Sequence, residues 1–198
     1  MVLAAGSSRR MGTPKQLLAV EGRPLLQLVV EQACASRLDD VVVVLGAAAD
    51  EIRARVDFSC AGVLVNAEHA SGMSSSLRAG FASLGSDIMR AVIILGDQPD
   101  ISPELIDRLL DLQETSGLPA AALSFDGVTH PPVVLRRELW PGLMELEGDV
   151  GWRAVIRARP ELVATLPHAS DHKHPIDVDT PADYARFRGI TGTSSQDS

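Results

Sequence analysis

The chain has only two cysteines, Cys34 and Cys60, placed singly and far apart among 198 residues. That placement offers neither a metal-ligand cluster nor a disulfide framework, so a reducing, cytoplasmic setting is expected. Cys34 falls in an apolar helical pattern, where a buried inert thiol is expected. Long hydrophobic runs are missing too. The longest, residues 41–49, is interrupted by Gly46 and too short to span a bilayer. The N-terminus lacks the charged-then-apolar form of a signal peptide, and there are no internal repeats or heptads. Positive charge is scarce: 18 Lys and Arg against 26 Asp and Glu give a net charge of −8. That balance argues against nucleic acid or a membrane surface as partner. A small anionic substrate stays compatible with it, provided the cations gather in one place.

What remains is an ordinary globular composition, 45% hydrophobic and 22% charged. Residues 1–190 suit one α/β domain, and the polar, Gly/Ser/Thr-rich residues 191–198 are expected to form a disordered tail. Val41 to Leu45 and Ala91 to Leu95 are apolar runs without alternation, as in strands buried on both faces of a parallel sheet. Helical spacing follows Pro24 and recurs over residues 48–56, 71–84 and 149–158. Ser102 caps a helix that opens at Pro103 and runs to Leu112, and Thr180 with Asp183 forms a near capping box for a helix ending at Phe187. Strand and helix therefore alternate, which predicts a Rossmann-like, doubly wound, mostly parallel sheet with helices on both faces. Ala120 to Ser124 and Pro132 to Leu135, around Asp126-Gly127, form a small antiparallel excursion beside it.

The densest cluster of chemistry lies at the start, Leu3-Ala4-Ala5-Gly6-Ser7-Ser8-Arg9-Arg10-Met11-Gly12-Thr13-Pro14-Lys15. Gly6 lets backbone N–H groups approach a ligand, and Arg9, Arg10 and Lys15 add charge suited to a polyphosphate. A solvated Gly/Ser turn is the plainer reading. The spacing matches neither the P-loop nor the dinucleotide fingerprint. Pro14 holds Thr13 away from the helical region, so Lys15 is expected to project from an extended loop. In an open α/β sheet, ligands sit beyond the carboxyl ends of the strands. Gly96-Asp97-Gln98-Pro99 and Asp177-Val178-Asp179 fall at such ends, where each aspartate is either a turn residue or a cation ligand. Two carboxylates facing an anion-binding loop suit magnesium, which keeps several waters and phosphate oxygens. Ser74, Ser75 and Ser76 open a helix after Asn66, and offer more hydroxyls than one cap requires. His168, His172 and His174 sit in a polar loop without ligand spacing, and Trp140 needs no more than core packing.

The first stretch resembles the signature loop L-A-A-G-x-S-x-R-M-G-x-x-K of the MobA-like nucleotidyltransferases, and is most similar to their molybdenum cofactor cytidylyltransferase branch. Gly96-Asp97-Gln98-Pro99 resembles the family's G-D-x-P, and residues 177–184 resemble its D-x-D-T-P-x-D-[YF]. Residues 66–80 resemble its N-x-x-x-x-x-G-M-x-x-S-L-x-x-G. Thr129-His130-Pro131-Pro132-Val133-Val134 resembles G-H-P-V-[VL], with Thr for Gly and an extra proline, and residues 148–153 resemble G-D-x-G-x-R.

The resemblance implies transfer of CMP from CTP to the phosphate of molybdopterin, with magnesium as cofactor and pyrophosphate as product. GTP as donor, another phosphorylated acceptor, or a non-catalytic cofactor chaperone are its alternatives. A molybdenum hydroxylase is the implied recipient. It assigns Arg10, Lys15 and Asp97 to catalysis. Leu3, Ala4, Ala5, Gly6, Ser7, Ser8, Arg9, Asn66, Ser74, Ser75 and Ser76 take the nucleotide. Asp97 and Asp179 take the metal, with Asp177 the second choice, because alternate strand residues face opposite ways. His130, Asp149, Arg153 and Asp177 take the second substrate. Members of the family it resembles usually carry several more residues before this loop, so a true start upstream is an expectation.

Overall fold

The computed structural model describes residues 1–6, 13–167, 178, 180, 182–185 and 187. In chain order the elements are β1 (Val2–Ala4), β2 (Ala19–Val20), β3 (Arg23–Pro24), α1 (Leu25–Ala35), β4 (Val42–Leu45), α2 (Ala49–Arg53) and β5 (Gly62–Val65). There follow α3 (Met73–Ser83), β6 (Arg90–Leu95), α4 (Pro103–Ser116), β7 (Ala120–Phe125), β8 (Val128–Arg136), α5 (Trp140–Met144), α6 (Arg153–Ala158) and β9 (Val163–Pro167). Seven strands make one sheet in the order β5-β4-β1-β6-β8-β7-β9, and β2 pairs with β3 separately.

Alternation along the strands divides the core in two. Val2 and Ala4, Val43 and Leu45, Val92 and Ile94 pack with Leu26, Val29 and Val30 of α1, Ile52 of α2 and Ile106 and Leu109 of α4. Leu3, Val44 and Ile93 point the other way, to Leu77 and Phe81 of α3, Trp140 and Leu143 of α5 and Ile156 of α6. A sheet covered on both faces needs apolar residues at every strand position, which is why these runs do not alternate. The expected doubly wound architecture is therefore present, with β1 central and parallel to β4 and β6. Trp140 is core, as expected: its indole N–H donates to the Leu135 carbonyl at 3.3 Å and its ring lies 4.9 Å from that of Phe81.

The antiparallel excursion needs correction. β8 is inserted into the main sheet itself, antiparallel to both β6 and β7. Asp126 and Gly127 both have positive φ (45° and 76°), as a tight two-residue hairpin demands. Pairing of β7 with β8 passes from Ala122↔Val133 to Leu123↔His130. It thus skips Pro131 and Pro132, which have no N–H to offer a ladder. The cysteine reading also fails. Cys34 and Cys60 form a disulfide, Cα–Cα 6.2 Å, and Cys34 is half-buried rather than a buried free thiol. The loop entering β5 returns beside the last turn of α1, a contact between segments 26 residues apart that local pattern does not encode. Among the described residues no helix is long and apolar enough to cross a membrane.

Both capping expectations hold. The Ser102 hydroxyl accepts from Leu105 N–H at 3.3 Å, and Thr180 and Asp183 exchange backbone-to-side-chain hydrogen bonds at 2.9 and 3.2 Å. Replacing Ser102 by alanine should cost about 1 kcal/mol, read as a fall of roughly 2–4 °C in melting temperature by calorimetry. The predicted 149–158 helix is shorter, beginning only at Arg153, and the 71–84 helix begins at Met73. The tail 191–198 lies outside the described residues, as do Ser7, Ser8, Arg9, Arg10, His168, His172, His174, Asp177 and Asp179.

Candidate active site at the carboxyl edge of the sheet

β1 ends at Ala4, and the chain runs through Ala5 and Gly6 into a cleft of about 460 Å³ beyond the carboxyl ends of β1, β4 and β6. Leu3, Ala4, Ala5 and Gly6 form one wall. A Cβ at Gly6 would meet no atom of the described residues within 4 Å, which leaves its backbone open to a ligand on that side. Gly96 has no such room: a Cβ there would lie 2.9 Å from that of Ala4 and 3.1 Å from Leu26 Cδ1. Only glycine lets β6 end this close to β1, and that approach carries Asp97 into the cleft.

Lys15 donates to Asp97 Oδ2, the two side chains only 16% and 14% exposed. The lysine does not project from an extended loop. Pro14 is extended, and Lys15 itself opens a 3-10 turn, Lys15–Leu17. Gln16, which the sequence did not single out, explains why. Its buried side-chain amide donates to the carbonyls of Ala4 (2.8 Å) and Gly6 (3.1 Å), tying the lysine turn to the end of β1. Asp97 Oδ1 is buried and has no hydrogen-bond partner among the described residues. A carboxylate oxygen held from water with nothing to accept from is costly unless a cation completes it. Asp97 therefore fits a divalent ion. Among the described residues no group of three His, Cys, Asp or Glu surrounds it. Val178 N–H donates to the Asp97 carbonyl at 3.2 Å, which brings Val178 to this loop; Asp177 and Asp179 lie outside the described residues.

The serine-rich helix start is only partly as read. Asn66, buried, donates to Ser75 Oγ (2.9 Å) and Ser76 Oγ (3.1 Å) and accepts from Glu68 N–H. The Ser75 hydroxyl donates to the Gly72 carbonyl at 2.8 Å. Asn66 and Ser75 thus build the wall, and Ser76 alone of the three serines lines the cleft. Ser74 is fully buried, its N–H donating to the Gly148 carbonyl at 3.1 Å. Gly72, at φ +98°, is the other half of that contact: a Cβ there would lie 2.4 Å from the Gly148 carbonyl carbon and oxygen. This approach seats Asp149 in the cleft wall. Gly72→Ala should cost about 2 kcal/mol, a drop of roughly 5 °C in melting temperature, and displace Asp149.

Beyond Asp149 a second cavity of about 250 Å³ shares Met73, Leu95 and Asp149 with the first and adds Arg153 and Arg157. Arg153 lies against Trp152, 5.5 Å from the ring, and its Nε is buried without a partner. Asp149 and Arg153 thus line this second cavity together. His130 is elsewhere: it is edge-on to Phe125 at 5.6 Å and lines neither cavity. The proline bulge next to it turns its end of β8 along Phe125. The cleft also contains His69, which the sequence reading passed over because a lone histidine in a loop carries no pattern.

Comparison with known proteins agrees with this geometry. The family model described as MobA-like NTP transferase domain matches residues 1–166. The chain is 34% identical, over 189 residues and 91% of each protein, to the nicotine blue oxidoreductase of Paenarthrobacter nicotinovorans. It superposes with TM-score 0.86 and 31% identity on the crystal structure of a Mycobacterium tuberculosis Rv0371c homologue from Mycobacterium sp. strain JC1, covering 98% of this chain and 96% of that one. Rv0371c of Mycobacterium tuberculosis H37Rv in complex with manganese is similar at TM-score 0.81 and 28% identity, covering 95% and 96%. An open glycine at the end of β1, a carboxylate with one oxygen unfilled and a match over most of the chain converge: this protein belongs to the MobA-like NTP transferase family and is a nucleotidyltransferase.

Proposed function

We propose that the enzyme transfers CMP from CTP to the phosphate of molybdopterin, releasing pyrophosphate, with magnesium as its metal. The observation that carries the reading is Asp97, with Lys15 on one oxygen and the other buried and unfilled, beside the open backbone of Gly6. Lys15 and the loop that runs on through Ser7, Ser8, Arg9 and Arg10 hold the triphosphate. Asp97, with Asp179 as the second carboxylate, holds the ion, and the Val178 contact to Asp97 supports that pairing. Magnesium, when bound, supplies neutralisation of phosphate charge. Asp149 and Arg153 receive the acceptor, and the cavity they share supports this side for it. The acceptor phosphate oxygen forms a bond to the α-phosphorus as the bond from that phosphorus to the bridging oxygen breaks, and pyrophosphate leaves. Because the acceptor is already ionised near neutral pH, no protein base is needed. The work of the chain is alignment and charge neutralisation.

Cytidine is favoured over guanosine by the Ala4-Ala5-Gly6 sequence, since a methyl group near the base edge discriminates by shape. The product passes to a molybdenum hydroxylase. The test is pyrophosphate formation with magnesium, CTP or GTP, and molybdopterin. Turnover with CTP supports the proposal. Turnover with GTP alone shifts the donor, binding without turnover supports a chaperone, and oxidation of a nicotinamide cofactor without pyrophosphate contradicts the proposal.

A further inference from the structure

We propose that Gln16 is a positioning residue for the bound nucleotide: its buried amide fixes where Lys15 stands against the Ala5–Gly6 backbone, so that the ammonium meets Asp97 and the triphosphate. This rests on the nucleotide reading of the cleft and deepens it. Gln16 is 2% exposed, and its Nε2 donates to the Ala4 carbonyl at 2.8 Å and to the Gly6 carbonyl at 3.1 Å. Two carbonyl oxygens can be met only by donors, and a primary amide carries two N–H bonds on one nitrogen. The Ala5 carbonyl between them accepts from Ala47 N–H at 3.4 Å. Three successive carbonyls at the end of β1 are thus held by groups of the protein itself, in a wall of the cleft that also contains Lys15 and Asp97.

The lysine is fixed from both sides of this amide. Lys15 opens the turn Lys15–Leu17, and Leu17 is buried in the core that α1 shares with β1. Leu17 N–H donates to the Pro14 carbonyl at 2.9 Å, and Leu25 N–H at the start of α1 donates to the Leu18 carbonyl at 2.8 Å. With Leu17 seated in the core and Gln16 on β1, the Lys15 backbone is pinned beside the strand end, and its side chain reaches Asp97 at the end of β6. A long, flexible side chain delivers its charge to one point only from a fixed backbone. In an aligned reaction a shift of about 1 Å can cost about a hundredfold.

A double-mutant cycle in the full chain tests this, read by calorimetry as the magnesium-dependent affinity for whichever of CTP and GTP the wild type binds. Gln16→Met removes the donor and keeps the bulk. Beside the native lysine it should weaken nucleotide binding about tenfold, and in the Lys15→Ala background by less than about twofold, because a residue that acts through the lysine then has nothing to position. A role confined to stability makes a different prediction: a lower melting temperature, with nucleotide affinity unchanged where the variant is folded. Gln16→Glu completes the same cycle if Gln16→Met melts too low to titrate. It keeps the length and loses the donor, and the repulsion of its charge from phosphate is common to both backgrounds and cancels. Equal losses with and without Lys15, or no loss beside it, overturn the assignment of Gln16. Failure of the wild-type protein to bind any nucleoside triphosphate would instead remove the nucleotide reading on which it stands.

Discussion

Asp97→Asn should lower magnesium-dependent pyrophosphate release by roughly a thousandfold or more, the scale seen when a group that neutralises developing phosphate charge is lost. Asparagine keeps the volume and an oxygen for Lys15, so melting temperature should stay near the wild-type value. The anionic oxygen that now lies buried without a partner would become part of a neutral amide, and a divalent ion would lose its protein carboxylate. Asp97→Ala is the blunter variant, since it also takes away the oxygen to which the 16%-exposed Lys15 donates. Steady-state assay of both variants beside thermal melting tells the two effects apart. Near-normal turnover in Asp97→Asn would mean that the metal is held elsewhere.

Lys15→Ala should move two readouts in opposite directions. Turnover should fall roughly a hundredfold to a thousandfold, because the cation facing the triphosphate is lost. Affinity for manganese without nucleotide should rise, because the ammonium occupies one oxygen of Asp97 in the ligand-free cleft and competes with any other cation there. Manganese titration followed by electron paramagnetic resonance measures the second effect directly. A fall in manganese affinity would show that Lys15 supports the metal site rather than sharing its carboxylate with it.

Much of this arrangement was legible in the chain because local chemistry repeats global demands. Val42–Leu45 and Arg90–Leu95 are strands because nonalternating β-branched runs suit a sheet covered on both faces. Ser102, Thr180 and Asp183 announced helix starts through hydrogen bonds that close within three residues. The position of Asp97 followed from the rule that strand ends carry the ligand site. What stayed hidden depended on contacts distant in sequence. Nothing near Val128–Arg136 says that this strand enters between β6 and β7 rather than lying beside the sheet. The Cys34–Cys60 bond depends on where a loop lands against α1.

The site was legible to the same extent. Gly6, Asp97 and Ser76 line the cleft, whereas Ser75 and Asn66 support its wall. His130 lines neither of the two cavities, and the bulge at Pro131 and Pro132 lies next to it in β8. Gln16 was invisible because a glutamine after a lysine has no motif; its role lies in two carbonyls that only the folded β1 presents together. The 2.4 Å approach of a Gly72 Cβ to Gly148 had no local signal either, although a glycine before a helix start was its one visible trace.

The whole account turns on a divalent ion meeting the triphosphate at Asp97. Anomalous scattering from manganese in crystals grown with CTP tests this directly. The predicted result is a peak within bonding distance of Asp97 Oδ1, with the phosphates over Ala5 and Gly6. A peak elsewhere in the molecule, with Asp97 still bound only to Lys15, would contradict it.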